Sequence, residues 1–207
     1  MQTKHLTSML KTTLFGTCLF ILASCQQASV GADEVEKVNV ATNASLVVAG
    51  GCFWCVESDF EKLDSVGDAI SGYAGGNSQQ PTYRNHADHL EVVRIPYDNA
   101  ATDYRTLIDY FLRHIDPLDP GGQFCDRGHS YTTAIFYSNE DERIDAEAAI
   151  AAAEAELGTK VVTRVLPLTQ FWQAEDYHQD YYKKNPIRYK YYRNGCGRDE
   201  RVAEVWG

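Results

Sequence analysis

The sequence predicts an α+β fold, a two-layer sandwich of a mixed sheet with helices. Three observations lead there. Short apolar runs alternate along the chain with stretches of helical periodicity. Glycine or proline closes several of those runs. The 207 residues are 44% apolar and 12% aromatic, enough for a core and too apolar for global disorder. A chain of this length ordinarily makes one domain.

Leu46-Val47-Val48-Ala49 reads as a strand ended by Gly50-Gly51. Phe53, Val56, Phe60 and Leu63 fall at helical spacing and predict a helix over 53–63. Residues 69–73 suit a second strand, stopped by Gly75-Gly76, and 91–96 a third, stopped by Pro96-Tyr97-Asp98. Leu107, Ile108, Phe111, Leu112 and Ile115 make 102–115 an amphipathic helix. A strand is expected over 130–137, then an Ala- and Glu-rich helix over 139–157 capped by Ser138, then a last strand over 161–166. The tail from Phe171 onward is rich in aromatics and poor in aliphatics, so a long irregular C-terminal segment wrapped on the surface is expected.

The N-terminus belongs to a different regime. Lys4 and Lys11 precede the apolar stretch Leu14 to Leu22, which is too short to span a bilayer as a helix. Residues 1–24 therefore read as an export signal. Leu22-Ala23-Ser24-Cys25 resembles the lipobox of bacterial lipoproteins, in which the cysteine is acylated and the preceding peptide removed. That implies lipidation at Cys25, a flexible tether over 25–44 and a domain over 45–207, exported and held at a bacterial membrane by a lipid anchor only, facing the periplasm. The net charge of −10 argues against nucleic acid as a partner. A monomer is expected.

Four cysteines fall in the domain: Cys52, Cys55, Cys125 and Cys196. Two structural disulfides would suit an exported chain. The surroundings of Cys52 point elsewhere. It follows a strand and two glycines and opens a helix, where backbone N–H groups and the helix dipole stabilise a thiolate nucleophile. The Cys52/Cys55 spacing alone also suits half of a zinc site or a general thiol–disulfide oxidoreductase.

The resemblance then becomes specific. Gly51-Cys52-Phe53-Trp54-Cys55-Val56-Glu57 resembles the signature of the A-type peptide methionine sulfoxide reductases. Ser71 to Gly76, Pro81-Thr82-Tyr83, His89 to Val93, Tyr97-Asp98, Gly121 to Gly128, Tyr131 and Tyr177 to Tyr181 resemble family segments in family order, over roughly 46–207. The resemblance implies thiol-dependent reduction of methionine S-sulfoxide, free or protein-bound, with no bound cofactor and no metal. The fold expected is a ferredoxin-like form of the sandwich. By matched position, Cys52 is the nucleophile and Glu91 the proton donor. Tyr83 and Tyr131 bind the sulfoxide oxygen, Phe53 and Trp54 form the methyl slot, and Asp126 anchors substrate. A half-buried strand carboxyl is expected to have a raised pKa. Attack leaves a sulfenic acid on Cys52, which a second thiol converts to a disulfide. Cys196, Cys55 and Cys125 are all candidates for that resolving thiol, and electrons come finally from a thioredoxin-like dithiol.

The sequence departs from the family at Cys55, where glycine is common, at Ala87-Asp88 in place of Thr-Gly, at Leu90 in place of a small residue, and at Cys125, where asparagine is common. Two other classes remain open at this stage: a metal-binding lipoprotein with a four-cysteine site, and a general oxidoreductase working through Cys52 and Cys55. A cysteine hydrolase using His89, His129 or His178 has less to support it.

Overall fold

A computed structural model describes residues 42–207. The export signal, Cys25 and nearly all of the tether lie outside the described residues. No helix among the described residues is long and apolar enough to cross a membrane.

A six-stranded sheet organises the fold, in the order β7-β6-β1-β3-β2-β8. Its strands are β1 (Ala44–Gly50), β2 (Ile70–Ala74), β3 (Leu90–Tyr97), β6 (Thr133–Tyr137), β7 (Arg164–Pro167) and β8 (Phe171–Gln173). A two-residue ladder, β4 (Gly122–Gln123) with β5 (Asp126–Arg127), stands apart from it. Among the strands of the described residues, only β6 and β7 pair in parallel.

Both faces of the sheet are buried, which is why β1 reads as an unbroken apolar run rather than an alternating one. Leu46 and Val48 point to one side with Val93, Ile95 and Ile135, and meet α1 (Phe53–Phe60), α2 (Tyr104–Leu112) and α3 (Glu140–Leu157). Val47 and Ala49 point to the other side with Ala74, Leu90, Val92 and Phe136, against Leu166, Leu168 and Phe171. Residues of β3 alternate across the sheet, so Glu91 shares the helix-facing side with Val93 and Ile95.

The helix caps differ in detail from the sequence reading. Asn139, not Ser138, caps α3: its side chain accepts from the Glu142 N–H at 2.9 Å, while Glu142 reaches back to the Ser138 N–H at 2.6 Å. The side-chain cap is therefore present one residue later than expected, and the Glu142 carboxylate takes the N–H before the N-cap rather than that of the N-cap itself. Asp103 caps α2 in the same way, accepting from Thr106 N–H at 2.7 Å.

The tail is the larger correction. After β8 the chain forms α4 (Tyr181–Lys184), α5 (Pro186–Gly195) and α6 (Arg198–Trp206). A proline at the first turn starts α5. α4 and α5 lack an aliphatic stripe, α6 turns half-buried Val202, Val205 and Trp206 toward the fold, and polar contacts supply the other anchors. Arg193 grips buried Asp59 on α1 at 3.0 Å, and Arg198 donates to the Gly50 and His114 carbonyls at 3.2 and 2.9 Å. Helical periodicity of apolar residues is blind to a segment held this way.

Candidate active site

The turn from β1 into α1 sets the first functional side chain. Gly51 has φ +82, and a Cβ there would lie 2.5 Å from Gln123 Cβ, so only glycine fits. Cys52 follows at the N-cap of α1, and its side chain makes no cap hydrogen bond. It faces a cavity of about 80 Å³ lined by Cys52, Phe53, Trp54, Tyr83, Glu91, Asp126, Tyr131 and Tyr192. Every side chain expected to act on the sulfoxide thus lines one space, the three candidate resolving cysteines lie outside its lining, and Tyr192 joins unforeseen.

Glu91 enters from the helix-facing side of β3, directly under the start of α1. It accepts from the Phe53 N–H at 3.1 Å and is 2% exposed. Burial pushes its carboxyl up to about 8, against the pull of that N–H and of the Tyr131 hydroxyl. The carboxyl is therefore a proton donor at neutral pH. It is more deeply buried than a half-buried strand acid, because α1 covers this end of the sheet.

Tyr131 lies in a short 3₁₀ turn, His129–Tyr131, before β6, and Tyr83 in the loop between β2 and β3. Both side chains line the cavity with Glu91. Burial raises both phenols, which keeps them protonated and able to donate. Trp54 stacks on Tyr181 with centroids 3.7 Å apart, and its indole N–H donates to His178 Nδ1 at 3.2 Å. His178 also packs 4.9 Å from the Phe53 ring. The aromatic pair is thus fixed by the tail as well as by α1.

Tyr192 on α5 is the residue that the sequence did not single out. Its hydroxyl donates to Asp126 Oδ2, and its ring packs beside Cys52 and Cys55. With 13 tyrosines in the chain and a tail read as irregular, nothing in its sequence context distinguished it.

The four cysteines fall into two pairs. Cys125 and Cys196 form a disulfide with Cα atoms 5.0 Å apart, whereas Cys52 and Cys55 are free, buried and packed in one cluster. This division is incompatible with one four-cysteine metal site. It also changes the electrostatic expectation for Cys52. Burial, then Cys55 and Glu91, raises the Cys52 thiol, while the helix-start N–H of Phe53 is already taken by Glu91. The Cys52 hydrogen bond, with the fields of Arg198 and Arg193, brings Cys55 down to about 7. Between the two, ionisation is therefore easier at Cys55 than at Cys52.

A buried dithiol beside a protonated carboxyl and an aromatic slot defines a thiol-dependent reductase acting on a small polar electrophile with an apolar arm. Comparison with known proteins narrows this class. A family model described as peptide methionine sulfoxide reductase matches residues 44–207. The peptide methionine sulfoxide reductase MsrA 2 of Rhizobium meliloti (strain 1021) is 55% identical over 163 residues, covering 78% of this chain and 82% of that protein. The MsrA 2 of Caulobacter vibrioides is 41% identical over 193 residues, covering 91% and 98%. Among solved structures, reduced Mxr1 from Saccharomyces cerevisiae superposes with a TM-score of 0.66 at 29% identity, covering 70% of this chain and 87% of that one. Methionine sulfoxide reductase A of Corynebacterium diphtheriae gives 0.66 at 28% identity, covering 69% and 75%. The chain belongs to the peptide methionine sulfoxide reductase family, on the A-type side, and is an oxidoreductase that reduces methionine sulfoxide.

Proposed function

We propose that Cys52 performs the reduction and that Cys55 resolves it. The sulfoxide methyl group enters the slot between Phe53 and Trp54. Its oxygen lies toward Tyr83, Tyr131 and Glu91, and Asp126 with Tyr192 closes the far side. Cys55 takes the Cys52 proton as Cys52 attacks the electrophilic sulfur. Glu91 protonates the oxygen, which leaves sulfur with that proton and ends on Cys52 as a sulfenic acid, and methionine departs. Cys55 then attacks the Cys52 sulfur. The sulfenic hydroxyl takes a proton and leaves as water, and a Cys52–Cys55 disulfide remains. Cys55 is favoured over Cys196 because its thiol touches Cys52, whereas Cys196 is bonded to Cys125. The observation that carries the reading is the single cavity shared by Cys52, Glu91, Tyr83, Tyr131, Phe53 and Trp54.

The finer features follow from the family resemblance and the N-terminal sequence. The S epimer is the substrate, free or in proteins, and a thioredoxin-like dithiol supplies electrons. Cys25 carries the lipid that anchors a monomer on the periplasmic side. We also read β6-β1-β3-β2, with α1 and α2 as crossovers, as a ferredoxin-like core extended by β7 and β8.

A single-turnover assay without reductant tests the chemistry on the two sulfoxide epimers. Wild type, Cys55→Ser and Cys196→Ser should all release methionine from the S epimer, and Cys52→Ser should release none. Release by Cys52→Ser, or equal use of the R epimer, would contradict the proposal.

A further inference from the structure

The catalytic cavity is too small for most of a peptide. At about 80 Å³ it holds the sulfoxide end of one side chain, whereas sites that enclose a larger molecule run to roughly 300 Å³ and more. Residues flanking an oxidised methionine must therefore rest on neighbouring surface. A second space is continuous with the cavity. It shares Trp54, Tyr83 and Tyr192 with it, is completed by Tyr177, His178, Tyr181 and Arg188, and encloses about 340 Å³.

The walls of this groove are rings held by other rings. Trp54 lies on Tyr181 with centroids 3.7 Å apart, and His178 packs against Tyr83 at 4.7 Å and Tyr177 at 4.2 Å. The Tyr83 N–H and the Tyr177 hydroxyl both donate to Glu175, at 3.0 and 3.4 Å, which ties the β2–β3 loop to the tail. Rings fixed in advance offer contact area with little further loss of conformational entropy. Tyr177 still stays 58% exposed, open to another apolar contact.

Charge favours a neutral occupant. Arg188 is exposed and makes no hydrogen bond or ion pair with the described residues. Glu175 stands behind Tyr83 and Tyr177 with the opposite sign. An acidic or a basic side chain would meet one charge of each kind. A neutral ring meets the aromatic walls, and the Arg188 guanidinium is free to lie over its face.

We propose that this groove binds a residue flanking the oxidised methionine of a peptide, and that it selects a large apolar or aromatic side chain there. The inference rests on the reading that the sulfoxide reacts in the adjoining cavity at Cys52. Sequences of this kind come from hydrophobic cores, which sulfoxide formation disrupts. The groove thus directs the enzyme to loosened core segments in preference to free methionine sulfoxide.

Steady-state reduction of tripeptides tests this, with dithiothreitol as reductant. Each is acetylated and amidated, with methionine S-sulfoxide at the centre. The flanks are alanine, or one alanine is replaced by phenylalanine, glutamate or lysine. Phenylalanine on at least one side should lower KM about fivefold relative to alanine, the worth of one aromatic contact. Glutamate or lysine there should change it by less than about twofold. The Tyr177→Ala/Arg188→Ala variant alters two exposed positions outside the catalytic cavity. It should erase the phenylalanine advantage and leave kcat/KM for free methionine S-sulfoxide unchanged. Equal KM across the series, a glutamate advantage as large as that of phenylalanine, or an advantage that survives the double variant would overturn the proposal. So would a matching loss on free methionine S-sulfoxide, since these residues would then serve the reaction itself. Cys52→Ser separates the two levels. If it reduces none of the peptides while wild type reduces all of them alike, the chemistry stands and the groove is struck. If it reduces them, the underlying reading fails.

Discussion

At the residue scale the site depends on two shifted groups. The thiol pair loses its first proton near pH 7 and Glu91 keeps its proton to about 8. In the proposed reaction, attack needs the thiol pair deprotonated and oxygen departure needs Glu91 protonated. The rate of first methionine release should therefore be bell-shaped, falling below about 7 and above about 8. Glu91→Gln removes the donor but keeps an acceptor for the Phe53 N–H. It should slow that release by about 100-fold, within the usual worth of a general acid, and abolish the alkaline limb. A full alkaline limb in the Gln variant would assign that titration elsewhere. Cys52, Glu91, Phe53 and Trp54 were legible because each sits inside a short ordered motif. Tyr192 was not, because its role comes from a turn of α5 laid against Asp126, a contact across 66 residues.

Among the elements, α1 carries most of the function: Cys52 to Trp54 open it, Cys55 lies one turn in, and Glu57 follows. Glu57 is buried and accepts from the Asp180 N–H at 3.0 Å, tying the tail to α1 at a residue with φ +54. Burial raises its carboxyl to about 7. The folded state then holds more protons than the unfolded state from about pH 4.5, the ordinary glutamate value, up to about 7, so Glu57 makes stability fall as pH rises through that window and stay level above it. Glu57→Gln keeps the acceptor and removes the titration. Its thermal midpoint should gain on wild type as pH rises from 4.5 to 7, and parallel curves would show that Glu57 is ionised in the fold. The principal strands and helices were legible from period and punctuation. Three-residue β8 and the two-residue strands were too short to carry a period, and α5 is seated by Arg193 rather than by an apolar stripe.

Over the whole molecule, the C-terminal helices complete a site begun by β1, α1 and β3. They bring Tyr192 onto Cys52 and Tyr181 onto Trp54, and α1 receives them through Asp59, whose carboxylate is buried with Arg193 at 3.0 Å and Arg198 at 3.8 Å. Removing one partner of a buried charge cluster leaves the others uncompensated. Asp59→Asn should cost about 3 kcal/mol in denaturant unfolding and raise KM for sulfoxide more than it lowers the first-turnover rate. A stability loss with KM unchanged would mean that α5 does not shape the pocket. The family likeness named residues that converge on one cavity, and it left open how the cysteines pair.

The most direct measurement isolates the nucleophile. In the Cys55→Ser/Cys125→Ser/Cys196→Ser variant, one equivalent of methionine S-sulfoxide is added in the presence of a sulfenic-acid probe, and the labelled residue is mapped by peptide mass. The account predicts one methionine released per chain and a matching adduct on Cys52. Methionine released without an adduct at Cys52 would contradict it.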